Sequence, residues 1–155
     1  MRASLAVFLT GLTMAGAVSA ALAEDVEILQ QPDPVAILDI AKGLGSARME
    51  KDDNGDPMLS GRMEGVKYVI YFYGCEDHEN CKSLQFSTGY TDPLTADQAN
   101  AWNRKYRWVK AYAGDGSNFK MDVSFEGGIT RANLEEQFSN WDSMVGNIKD
   151  FLNDK

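Results

Sequence analysis

From Val66 to Tyr73 the chain reads VKYVIYFY, with Val66, Tyr68, Ile70 and Phe72 on one face of an extended segment and Val69, Tyr71 and Tyr73 on the other. Apolar residues on both faces predict a central strand, covered at least in part on both sides. Its neighbours follow the simpler alternation. Ala47, Met49 and Lys51 alternate with Arg48 and Glu50, and Met58 to Met63 read as the returning strand. Between them DDNGDP supplies turn chemistry, because Asn and Gly tolerate positive φ. Downstream, Leu84, Phe86 and Thr88 alternate with Ser83, Gln85 and Ser87, a strand with one polar face. Val109 to Ala113 and Phe119 to Phe125 flank GDGSN as a hairpin that places Phe119, Met121, Val123 and Phe125 on one face.

Three segments carry helical spacing instead. Val35, Ile37, Leu38, Ala41 and Leu44 predict a helix over 34–43, opened by Pro34 and stopped by Gly43 or Gly45. PLTADQANAWNRKYRW predicts a second, with Thr95 as N-cap, Gln98 completing a capping box, and Ala99, Trp102 and Tyr106 as its apolar stripe. The third starts at Thr130, where Leu134, Phe138, Trp141, Val145, Ile148 and Leu152 repeat at four-and-three spacing. Such a stripe also suits half of a coiled coil, but in a small domain it packs more often on its own sheet. The order is therefore α-ββββ-α-ββ-α. Without βαβ alternation, that order predicts an α+β domain with helices on an antiparallel sheet of five to six strands.

The ends set the boundaries. MRASLAVFLTGLTMAGAVSAALA has a basic start at Arg2, an apolar stretch from Leu5 to Val18 and an A-x-A site ending at Ala23. This layout predicts a signal peptide over 1–23, with cleavage after Ala20 as the competing site. The run is short and rich in small residues for a membrane anchor. Residues 24–33 read as a flexible lead-in and 34–155 as one domain. Cleavage removes Arg2 and no acid, taking the formal net charge from −8 to −9. That balance argues against nucleic acid and anionic membrane surfaces as partners. Export places the mature chain in the periplasm or outside the cell.

YGCEDHENCKS, residues 73–83, holds both cysteines and the chain's one histidine. An even cysteine count in an oxidising compartment favours a Cys75–Cys81 disulfide across a strand-to-strand loop. The alternatives are a C-x-x-H-x-x-C metal site of Cys75, His78 and Cys81, completed by Glu76, Asp77 or Glu79, and a reactive thiol. Structural zinc calls for a second ligand pair, and redox work for C-x-x-C, and the sequence has neither. DDNGDP lacks the Gly and Glu positions of a calcium loop, since Pro57 and Met63 stand there. With a single histidine and no nucleophile elbow, nothing assembles a catalytic set. The expectation is a non-enzyme without cofactor or metal. Tyr71, Tyr73, Trp102 and Trp108 are the candidate interaction surface, since exposed aromatics of this kind mark binding sites. The partner expected is a protein, or a second copy as a homodimer. The competing class is a small-ligand carrier or sensor with a pocket between sheet and helix.

DDNGDP, YVIYFYGCEDHENCKSLQF, NAWNRKYRWVKAYAGDGSNFKMDV and GGITRANLEEQFSNWDSMV together resemble the bacterial YbjN-domain family of sensory transduction regulators. The resemblance runs over roughly 35–152 and is closest to the exported, cysteine-containing members. It implies a fold similar to type III secretion chaperones, a twisted antiparallel sheet with helices packed on it. It also implies a non-enzymatic, partner-binding role, and supplies no catalytic or ligand residues.

Overall fold

In the computed structural model, which describes residues 26–154, six strands form one antiparallel sheet and three helices lie on one of its faces. The predicted signal peptide lies outside the described residues. The first helix, α1 (Pro34–Leu44), is started by Asp33, whose carboxylate accepts from the N–H groups of Val35 and Ala36. It leads into β2 (Ser46–Lys51), β3 (Pro57–Met63), β4 (Val66–Tyr73) and β5 (Ser83–Tyr90), a meander in which each strand pairs with the next. Then α2 (Ala96–Lys105) crosses to β6 (Lys110–Ala113) at the sheet edge. β7 (Ser117–Ser124) returns between β5 and β6, so the strand order is β2-β3-β4-β5-β7-β6. The long α3 (Arg131–Asn153) closes the chain over the sheet.

Two short strands were not expected. β1 (Ile28–Leu29) pairs with β8 (Ile129–Thr130), and the N–H of Arg131 donates to Glu27 O at 3.1 Å. Glu27, Ile28 and Leu29, within the segment read as a flexible lead-in, are thus fastened beside the N-terminus of α3. Helix α2 is also shorter than its sequence suggests. It ends at Lys105, and Tyr106 follows as its C-cap, with the ring still 4.0 Å from that of Trp102.

The core lies between sheet and helices. Ile70, Phe86 and Met121 sit in one cross-strand row, and Leu59 extends it to β3. Phe138 and Trp141 of α3 pack on Phe86 with ring centroids 4.9 and 5.5 Å away. Trp102 of α2 packs on Phe119 and Phe151. Each of these large side chains removes apolar area from water worth about 1.5–3 kcal/mol. Gly61 lets one contact happen. A Cβ there would lie 2.1 Å from Ser46 O and 2.8 Å from the Tyr68 ring. Tyr68 is the cross-strand partner of Gly61, and its ring fills the space a side chain would take.

Strand β6 would be an open edge without α2. Asn103 prevents this. Its Nδ2 donates to Ala111 O at 3.0 Å, and its Oδ1 accepts from Ala111 N at 2.8 Å. Next to it, Trp102 Nε1 donates to Val109 O at 2.8 Å. One helical dipeptide, Trp-Asn, thereby satisfies backbone groups that otherwise invite a foreign strand.

Candidate functional site on the open sheet face

The helices cover one face of the sheet only. Strand β4 is central, yet Val69 and Tyr71 are half-buried and Tyr73 is 45% exposed, while Tyr68, Ile70 and Phe72 on the other face are buried. Cover on the second face is thus partial and comes from no helix. What shades Val69 and Tyr71 is their lateral neighbours, Ser60 and Ser87 beside Val69, Met58 and Gln85 beside Tyr71.

The register builds this face row by row. One row reads Glu50, Met58, Tyr71, Gln85 and Asp122 from β2 to β7. The adjacent row reads Arg48, Ser60, Val69, Ser87, Lys120 and Lys110. Arg62 and Lys67 pair in the next. The Tyr71 and Tyr73 rings are neighbours, tilted 33° to each other with centroids 6.2 Å apart, and the Lys120 ammonium lies 5.9 Å from the Tyr112 ring. Partial burial, with Tyr71, Asp122 and Asp52 nearby, raises the Tyr73 hydroxyl above its usual range. The Arg48 side chain, then that of Ser60, hydrogen-bonds Glu50 and holds its carboxyl below the usual range.

The candidate aromatics divide. Tyr71 and Tyr73 lie on the open face, as neighbours on one strand. Trp108 is 47% exposed just before β6, three strand steps from β4, with the Arg107 guanidinium 5.5 Å from its ring. Trp102 is not at the surface. It is 0% exposed, because the apolar stripe of α2 faces the sheet and its indole N–H is taken by Val109 O. The structure does not bring these four residues together. The aromatic candidates leave out the cations Arg48, Arg62, Lys67, Lys110 and Lys120, which share the open face. The period-two alternation already set them opposite the core residues.

At one end of the sheet the two most chemically loaded stretches meet. Cys75 and Cys81 form a disulfide with an S–S distance of 2.11 Å, so both sulfurs are committed to each other. Within the loop, Glu76 and Glu79 exchange backbone hydrogen bonds of 2.7 and 3.0 Å. Asp77, His78 and Asn80 take positive φ, the left-handed region that Asp, Asn and His enter more readily than other residues. His78 then reaches the β2–β3 turn, where its Nδ1 lies 2.8 Å from Asp56 Oδ1. In that turn the Asp52 carboxylate accepts from the N–H groups of Asn54 and Asp56. The DDNGDP acids thus shape a turn and hold the loop beside it. Among the described residues, no group of three or more His, Cys, Asp or Glu could hold a metal ion.

A family model described as "YbjN: Putative bacterial sensory transduction regulator" matches residues 33–153. The chain belongs to the YbjN family. The match takes in α1 through α3, so the open face, the Trp-Asn clamp and the disulfide loop all lie within the YbjN domain. No curated protein matches the sequence. The family description fits a regulatory or binding role. The disulfide is compatible with an oxidising compartment. No helix among the described residues is long and apolar enough to cross a membrane.

Proposed function

We propose that this YbjN domain is a non-enzymatic, protein-binding regulator that works after export, and that its partner docks on the open face of the sheet. The observation that carries the reading is the uncovered face itself. A six-strand sheet with helices on one side leaves a broad, rigid platform. The face carries Tyr71 and Tyr73 on central β4, Tyr112 on edge strand β6, and Arg48 and Arg62 on β2 and β3, residue types enriched at protein interfaces. The packed interior favours surface recognition over ligand carriage, because Trp102, Phe119, Phe86 and Trp141 fill the space between sheet and helices. The signal sequence read over 1–23 and the disulfide support export.

The test is site-specific photo-cross-linking in cells, with the cross-linker at Tyr71 or Ser87 and, as control, at Glu136 on the exposed side of α3. The reading expects an adduct with one defined protein, or with a second copy, at the sheet positions only. Adducts at neither sheet position, or equally at Glu136, would overturn it. Mass spectrometry of the protein recovered from the periplasm should give a chain beginning at Glu24 or Ala21. A retained Met1 would remove the export element.

A further inference from the structure

We infer that the partner segment taken on the open face is acidic, an extended peptide whose sheet-facing positions, every second residue, carry carboxylates and apolar side chains by turns. This deepens the proposed binding role and rests on it. The chain carries a formal net charge of −8, yet the open face runs the other way. Its strands present Arg48, Arg62, Lys67, Lys110 and Lys120 against the carboxylates Glu50 and Asp122. Of those five cations only Arg48 has a carboxylate within salt-bridge distance among the described residues. The Arg62 guanidinium donates to a backbone carbonyl, Gly65 O, at 2.8 Å, which leaves its charge uncompensated.

Geometry sharpens the match. Around Arg48, Arg62 and Lys67 the sheet forms a shallow concavity of about 460 Å³, floored by backbone at Gly61 and walled by Ser60 and Val69, with no acid in its lining. Beside it runs the apolar pair Met58 and Tyr71, one row away. A strand-like peptide repeats its side chains on one face at about 6.8 Å, and neighbouring strands here are about 4.8 Å apart. Where every second residue is by turns an acid and an apolar residue, both share the sheet-facing side, so the acids reach the cationic rows while the apolar residue about 6.8 Å further along meets Tyr71 or Met58. Range decides the form of the partner. At physiological ionic strength charges are screened beyond about 8 Å. The acid excess of this chain sits on the loops and the helical side, so it acts weakly on a thin segment lying on the sheet. A large acidic globule would reach past the sheet rim and meet it. A narrow segment gains the attraction and avoids the repulsion.

The experiment uses the purified, disulfide-bonded protein and a labelled twelve-residue peptide whose every second residue runs Glu, Val, Glu, Tyr, Glu, Val with Ser between, read by fluorescence anisotropy. Comparators are the same peptide with Lys for Glu and an oligothymidylate of equal charge. The expected result is saturable binding of the acidic peptide that weakens as salt rises, no binding of the basic one, and weaker binding of the oligonucleotide. The double variant Arg62→Glu, Lys67→Glu should lose at least tenfold in affinity for the acidic peptide, with its thermal midpoint within a few degrees of the parent. Lys120→Gln provides a milder second variant, with a two- to fivefold loss expected. Acidic-peptide binding that is absent, or unchanged in both variants, overturns the inference. Tighter binding of the oligonucleotide overturns it in favour of a phosphate polymer. If cross-linking at Tyr71 still captures a protein while the charge variants leave its yield unchanged, the docking face stands and its acidic partner falls.

Discussion

Replacing Asn103 with Ala should destabilise the domain by about 2–3 kcal/mol, far more than an exposed polar-to-alanine change in a helix. The side chain makes two hydrogen bonds to one residue, at 3.0 and 2.8 Å, and that residue, Ala111, is only 3% exposed. Each bond is worth about 1 kcal/mol net, and a buried backbone group left without a partner costs about 1–3 kcal/mol. The better helix propensity of Ala returns about 0.6 kcal/mol. Urea unfolding followed by tryptophan fluorescence measures the loss as a lower midpoint at unchanged slope. Asn103→Asp separates the two bonds. It keeps the acceptor for Ala111 N–H but sets a carboxylate against Ala111 O. Its protonated form can donate to that carbonyl, so the carboxyl should titrate above the ordinary Asp range in the fold. A raised carboxyl pKa favours the folded state when protonated, so this variant should recover stability as the pH falls from 7 to 4. Asn103→Ala frees both groups at the outer edge of β6, so sedimentation velocity should show concentration-dependent association absent from the parent. A loss below 0.5 kcal/mol for Asn103→Ala, with no new association, would refute the idea that this side chain seals the edge.

Other expectations follow from equally local observations. Cys75→Ser with Cys81→Ser should cost about 2 kcal/mol, the chain-entropy value for so short a loop, and should free His78 from Asp56, seen as an altered imidazole resonance. Burial pushes the Tyr68 hydroxyl up to about 12, and the oxygen has no hydrogen-bond partner. The folded state therefore holds a proton that the unfolded state releases near 10, so this group's contribution to stability should be constant below pH 10 and fall by up to about 3 kcal/mol toward pH 12. Tyr68→Phe should flatten part of that fall and be neutral or stabilising at pH 7, and a loss above 1 kcal/mol at pH 7 would reveal a hidden partner. Burial, with Glu64 nearby, raises the Asp142 carboxyl above its usual range, and its Oδ1 is unpaired. The penalty applies where the group is ionised, so Asp142→Asn should add about 0.5 kcal/mol at pH 7 and nothing at pH 3.

What could be read in advance was what repeats. The alternation in β5 and β7 and the four-and-three stripe of α3 each identify a buried face without any knowledge of neighbours, and Thr95 with Gln98 marks the start of α2 because a capping box is local. The pairing of Cys75 with Cys81 needed only an even count and the expectation of export. Features made by distant partners were not legible. Two residues carry no period, so Ile28–Leu29 could not be recognised as a strand until Ile129–Thr130 was beside them. Trp102 suited either surface or core, because an amphipathic helix shows which residues share a stripe but not what the stripe meets. The hydrogen bond from His78 to Asp56 spans 22 residues of sequence and depends on two turns lying at the same sheet end. The cationic rows were visible as alternation, but their uncompensated state follows from register across five strands.

The strand order also has a kinetic consequence. The β4–β5 pairing closes at Tyr73 and Ser83, ten residues apart, whereas the nearest β5–β7 pair, Tyr90 and Ser117, is 27 apart. Closing the longer loop costs about 1 kcal/mol more chain entropy, before β6 is placed outside β7. The meander of β2 to β5 should therefore assemble first, with its far edge at β5 temporarily bare until β7 slots in. Pulsed hydrogen exchange during refolding would show amides of β3 and β4 protected ahead of those in β6 and β7, and simultaneous protection would argue for a single concerted step. During that interval the β5 edge is the vulnerable one, and the residue that later seals the finished sheet, Asn103, cannot yet protect it.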